Sequence, residues 1–133
     1  MGINFQLEEP HREICNVVFE SLRTWEDFDA QMQTMAAAIL ATPCPVAVLM
    51  DMTGIGHLPD GNALAHLQRA DSLMPGNVDI AVLVNAPYAF VNFISILMRI
   101  RPHVKEMTFF AHSLDEGNLI IRERCKHNTS IRH

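Results

Sequence analysis

A chain of 133 residues with ten basic and fifteen acidic side chains carries a net charge of −5, which argues against a general nucleic-acid binder with its basic face. The length suits one domain, and with 49% apolar residues it can hide roughly two-thirds of its unfolded surface without staples. No apolar run reaches the roughly 18–20 residues of a membrane span, and no basic-then-apolar leader opens the chain, so the cytoplasm is the expected location.

Ile3 to Glu8 alternates apolar and polar residues, the pattern of a strand with one wet face. Glu9-Pro10-His11 reads as a turn, and Glu13 to Phe19 as a second strand, so the chain should open on a hairpin. Thr24 caps a helix, with Asp27 three residues on and Glu26 in the first turn. Phe28, Met32, Met35 and Ile39 give that helix one apolar face, and the prolines of Thr42-Pro43-Cys44-Pro45 end it.

Val46 to Met50 is an unbroken apolar run closing at Asp51, which suits a central strand covered on both faces. A loop follows, and Asp60 or Asn62 caps the next helix, whose buried side is Leu64, Leu67 and Leu73 or Met74. Pro75-Gly76 stops it. Val78 to Val84 reads as another buried strand, and Pro87 as the first residue of a third helix. That helix, about Pro87 to Ile100, is apolar nearly all round and closes at Pro102. Val104 to Ala111 should carry the last strand, and Ser113 with Glu116 forms a capping box for the last helix. The expected fold is α/β, a mixed, mostly parallel five-stranded sheet with about four helices in the order β-β-α-β-α-β-α-β-α. Residues 1–124 should form the domain and 125–133 a polar, fraying tail.

The segment Val48-Leu-Met-Asp-Met-Thr-Gly-Ile55 resembles the junction between strand and loop, D-[LF]-[ST]-G-[VI], of STAS and SpoIIAA-like domains. Pro75-Gly76-Asn77-Val78 before a buried strand, Phe90-Val-Asn-Phe-Ile94 in a hydrophobic helix, and Phe109-Phe110-Ala-His-Ser-Leu-Asp-Glu116 before the last helix agree with it over about residues 3–124. The resemblance implies a small regulatory module that binds protein partners. In the family's anti-anti-sigma members a Ser near the start of the second helix is phosphorylated. Here the corresponding stretch is Pro59-Asp60-Gly61-Asn62, with no Ser or Thr, so Asp60 would carry a fixed negative charge there.

The loop at Asp51, Thr53, Gly54, Gly56, His57, Asp60 and Asn62 is the candidate ligand or partner site. Ligands of open α/β sheets bind beyond the carboxyl ends of the strands, where a helix start offers free N–H groups. The same residues also serve ordinary turn geometry. Gly54-x-Gly56 lacks the rest of a dinucleotide fingerprint, and no P-loop is present. His57 and His66 are nine apart, unlike the i, i+4 pair of a helical zinc site. Cys15, Cys44 and Cys125 form no metal knuckle and suit a reduced compartment. Cys15, within an apolar strand, reads as a small buried hydrophobe.

Met1-Gly2 starts like a myristoylation signal, but Gln6 stands where that signal wants Ser or Thr. Asn128-Thr129-Ser130 matches a glycosylation sequon, accidental without a secretory leader. The third helix has more apolar residues than one face can bury. Tyr88, Phe90, Phe93, Ile94 and Leu97 are its candidate contact residues, either packed between neighbours or offered to a partner, and Arg99 and Arg101 at its end could meet an anion. The expected function is a non-catalytic interaction module with a protein partner, itself a homodimer. The alternative is a carrier or sensor of a lipid-like, small apolar or anionic ligand, then an enzyme using Asp51 and Asp60. No cofactor or metal is expected.

Overall fold

The computed structural model describes residues 2–9, 12–19 and 21–131. Two strands open the chain: β1 (Gly2–Glu9) and β2 (Arg12–Val18) pair antiparallel, with Ile3 opposite Val17 and Phe5 opposite Cys15. The turn read at Pro10-His11, and Met1 of the lipidation reading, lie outside the described residues. Parallel pairing follows from β2 onward, since each return to the sheet goes through a helix. The strands β3 (Val46–Asp51), β4 (Val78–Val84) and β5 (Thr108–Ala111) complete a five-stranded sheet in the order β1-β2-β3-β4-β5. The fold is α/β, with β2 to β5 all parallel.

The first helix, α1 (Trp25–Leu40), starts where its capping residues stand: the Thr24 hydroxyl accepts from the Asp27 N–H at 3.1 Å. Its stripe of Phe28, Met32, Met35 and Ile39 is buried, together with Trp25. In α2 (Ala63–Leu73) the cap is Asn62, whose side chain accepts from the Ala65 N–H, and the inner residues are Ala63 and Leu67. Leu73 is exposed and Met74 half-buried. After α3 (Tyr88–Ile100) comes a helix that the sequence reading takes as strand, α4 (Pro102–Met107). Proline at the first helical position is pre-set for a helix, and Val104 and Met107, three apart, fall on one side of it. The last strand is therefore Thr108–Ala111, not Val104–Ala111, and the described residues hold five helices. The fifth, α5 (Leu114–Ile131), begins at the expected box: Ser113 Oγ accepts from the Glu116 N–H and the Glu116 carboxylate from the His112 N–H. Its backbone stays helical through the polar residues 125–131.

Alternation along the strands divides the core in two. Cys15, Val17, Val46, Val48 and Met50 face the side packed by α1 to α4. Ile14, Ala47, Leu49, Val82 and Val84 face the other side, where Ile121 of α5 covers them. In β4 the parity changes at a bulge: Val46 pairs with Val78 but Ala47 with Ile80. The extra residue turns Val78 to the first side and Ile80 to the second. The helix α5 lies close on the sheet because Gly117 has no side chain there. A Cβ at that position would stand 2.8 Å from Leu49 Cδ1 and 3.2 Å from Val84 Cγ2.

Two expectations follow. Gly117→Ala should lower the urea-unfolding stability by about 1 kcal/mol, because overpacking outweighs the gain in helix propensity; a more stable variant would mean that α5 stands further off the sheet. Cys15 is fully buried, and burial pushes its thiol up from about 9 to about 11. The folded state then holds its proton where the unfolded state has lost it, so stability falls as pH rises from about 9 to about 11. Denaturation of the wild type beside Cys15→Ala over pH 8 to 11 should show that decline in the wild type only.

Candidate functional site

The carboxyl edge of the sheet is stitched from one strand end to the next. The Phe19 N–H donates to Asp51 O, the Met52 N–H to Val84 O and the Asn85 N–H to Ala111 O, each at 2.9 Å. These bonds place Asp51, Thr53 and Asn85 at one corner. Asp51 Oδ1 accepts from the Thr53 N–H at 3.1 Å and from the Thr53 hydroxyl at 2.6 Å. The Asn85 amide donates to Thr53 Oγ1 at 3.0 Å. Asn85 has φ +54°, a left-handed conformation that Asn tolerates better than most residues. The sequence reading passes over it. Its signal would have been an Asn directly after a buried strand and before Ala-Pro, a turn position.

The other loop residues are not drawn into that corner. Gly54, Gly56, His57 and Asp60 are exposed. A Cβ on Gly56 would meet nothing, so no close approach explains that glycine, whereas at Gly61, φ +126°, a Cβ would crowd the Trp25 ring, 3.3 Å from its Cδ1. Asn62 is occupied by its capping bond. Ile55 turns inward, its N–H donating to Met52 O. Thus the loop joins a polar corner, an exposed stretch and a helix cap, and Asp51 already serves Thr53.

Two carboxylates that the sequence reading leaves without a role tie the helices together. Asp29 of α1 accepts from His66 Nδ1 and from Arg69 of α2, both at 2.9 Å. The His66 ring stacks on Trp25, 5.3 Å between centroids, and the Trp25 indole donates to Pro59 O at 3.1 Å. Asp71 of α2 accepts from Arg101 at 2.8 Å and from His103 Nε2 at 2.9 Å. Arg101 also reaches Gln68 O and the Ser72 hydroxyl. The anion that Arg101 meets is therefore Asp71. Among the described residues, no group of three or more His, Cys, Asp or Glu could hold a metal ion, and no helix is long and apolar enough to cross a membrane.

The helix α3 lies between α2 and α4. Of its candidate contact residues, Phe90, Ile94 and Leu97 are buried in the core and Phe93 is half-buried. The outer side keeps Tyr88 at 82% exposure, Ile96 at 39% and Ile100 at 52%. They lie on the i, i+4 row Tyr88-Asn92-Ile96-Ile100, in which the exposed Asn92 is the polar member, and Tyr88 begins that row three residues after Asn85.

Beneath α3 is a pocket of about 80 Å³, partly open to solvent and walled by α1, α2, α4 and the sheet. Its wall is apolar except for Asp71 and Thr108. It is about half the volume of an engineered cavity that holds benzene (~150 Å³).

Replacing Thr53 by Val removes the hydroxyl that links Asp51 to Asn85 and keeps the shape. The expected loss is about 1 kcal/mol, the ordinary worth of such bonds, with Thr53→Ser near wild type in urea denaturation. An unchanged midpoint in Thr53→Val would mean that the corner is not bonded in solution.

No family model matches this chain, nor does any curated protein or solved structure.

Proposed function

We propose that this chain is a non-catalytic regulatory module of the STAS, SpoIIAA-like kind, which binds a protein partner and pairs with a second copy of itself. The observation that carries the reading is the division of α3. Phe90, Ile94 and Leu97 satisfy the core, while Tyr88, Ile96 and Ile100 remain in water. An apolar stripe left outside after the core is complete marks a contact surface. Tyr88, at the start of this outer side, follows Asn85 of the polar corner by three residues, and interfaces favour aromatic residues beside a polar rim. The SpoIIAA-like assignment is supported by the element order and by the Asp51–Ile55 junction after a buried strand.

Catalysis finds less support. The Asp51 carboxylate is bonded to Thr53, Asp60 lies exposed on the loop, and the Cys15 thiol is buried with a raised pKa.

The test is light scattering of the purified protein over a wide concentration range, beside Ile96→Asp. The wild type should pass from monomer to dimer, and the variant should stay monomeric with an unchanged circular dichroism spectrum. A wild type that remains monomeric throughout removes the self-pairing, and equal behaviour of the variant moves the contact away from α3.

A further inference from the structure

We propose that two copies of this chain pair through α3 in antiparallel fashion, about a two-fold axis across the helix, with Arg99 of each copy reaching Asp51 of the other. This rests on the self-pairing reading above and states how the two outer faces meet.

Charge decides between the two symmetric arrangements. A two-fold pair of helices is parallel when the axis runs along them and antiparallel when it runs across them. In the last turn of α3, Arg99 is exposed and has no ion pair among the described residues. Beyond the first turn stands the Asp51 carboxylate, joined through Thr53 to Asn85, three residues before Tyr88. Asp51 gives Oδ1 to Thr53 and meets no cation among the described residues. Parallel pairing would set Arg99 against Arg99 and Asp51 against Asp51, and like charges across an interface are unfavourable. Antiparallel pairing sets Arg99 against Asp51 on each side of the axis. It also lays the positive start of each helix dipole beside the negative end of the other.

The exposed row suits that arrangement. Tyr88, Asn92, Ile96 and Ile100 stand at equal steps. An antiparallel copy centred between Asn92 and Ile96 therefore brings Tyr88 opposite Ile100 and Asn92 opposite Ile96. Tyr88, at 82% exposure, then covers Ile100 at 52%. Ala89, exposed and small, falls opposite Arg99 and leaves the guanidinium a path to Asp51. The two Asn92 side chains come within about 6 Å of each other along the helices. A polar residue at such a place in an apolar helix pair fixes its register.

The arrangement is read with nitroxides on single engineered cysteines, Cys44 and Cys125 being replaced by Ser. Labels at position 92 should lie about 6 Å apart along the helices and labels at position 89 about 15 Å. Pulsed electron spin resonance should thus give a clearly shorter distance for Asn92→Cys than for Ala89→Cys. Sedimentation equilibrium reads the charges. Arg99→Glu should raise the dimer Kd about tenfold, and Asp51→Lys in the same chain should return it toward wild type. Where that double variant does not fold, Asp51→Asn takes the place of Asp51→Lys and should recover part of the loss. A wild type that stays monomeric removes the self-pairing and this arrangement with it. A dimer with equal distances at the two positions, or with a Kd that ignores both charges, overturns the arrangement and leaves the self-pairing standing.

Discussion

Every crossover in this chain advances the sheet by one strand in the same direction. Connections between parallel strands have one hand, so a sheet built in chain order must carry all its crossover helices on one face. That constraint explains why α1, α2, α3 and α4 share a core with Cys15, Val17, Val48 and Met50. It also leaves the other face to the helix that follows the last strand. Among the described residues α5 covers β3, β4 and β5, and Gly117 lets it do so at short range. Beyond its reach Val18 of β2 is partly exposed.

Helices ranked side by side need something to fix their spacing, and here each of two joints has a carboxylate. Asp29 joins α1 to α2, and Asp71 joins α2 to the start of α4. Each accepts from one His and one Arg. Their arginines and His103 are partly or well exposed, and ion pairs in that setting contribute little to stability. Their effect is positional: they hold the rank in register while the apolar surfaces supply the energy. The stacking of Trp25 on His66 adds a flat contact at the first joint, and Gly61 exists to let that ring lie close.

Much of this fold was legible because its signals are local. Thr24 before Trp25, the spacing of Phe28, Met32, Met35 and Ile39, and the Ser113–Glu116 box each act within a few residues. The buried runs at β3 and β4 were equally plain. What escaped was what depends on partners far along the chain. Asp29 meets residues nearly forty positions away, and Asp71 about thirty. The helix α4 escaped because Val104, Met107, Phe109 and Phe110 suit a strand by composition, while Pro102 sets the backbone for a helix first. In the candidate loop, Asp51 and Thr53 were found but Asn85 was not, since only the parallel pairing of β3 with β4 brings it to them.

The third helix shows where reading a pattern stops and packing begins. Composition says only that α3 has too many apolar residues for one face. Packing assigns them: Phe90, Ile94 and Leu97 line the cavity, and Tyr88, Ile96 and Ile100 lie in water. The same thirteen residues therefore roof a partly open pocket on one side and carry exposed apolar side chains on the other. Close-packed interiors pass displacement on instead of absorbing it, but a wall that faces four methionines is softer than most. A shift of α3 toward the pocket would thus meet less resistance than a shift of α5, whose Gly117 already lies against Leu49 and Val84. If the outer face binds a partner, α3 is the crossover helix that can adjust to it without rebuilding the sheet.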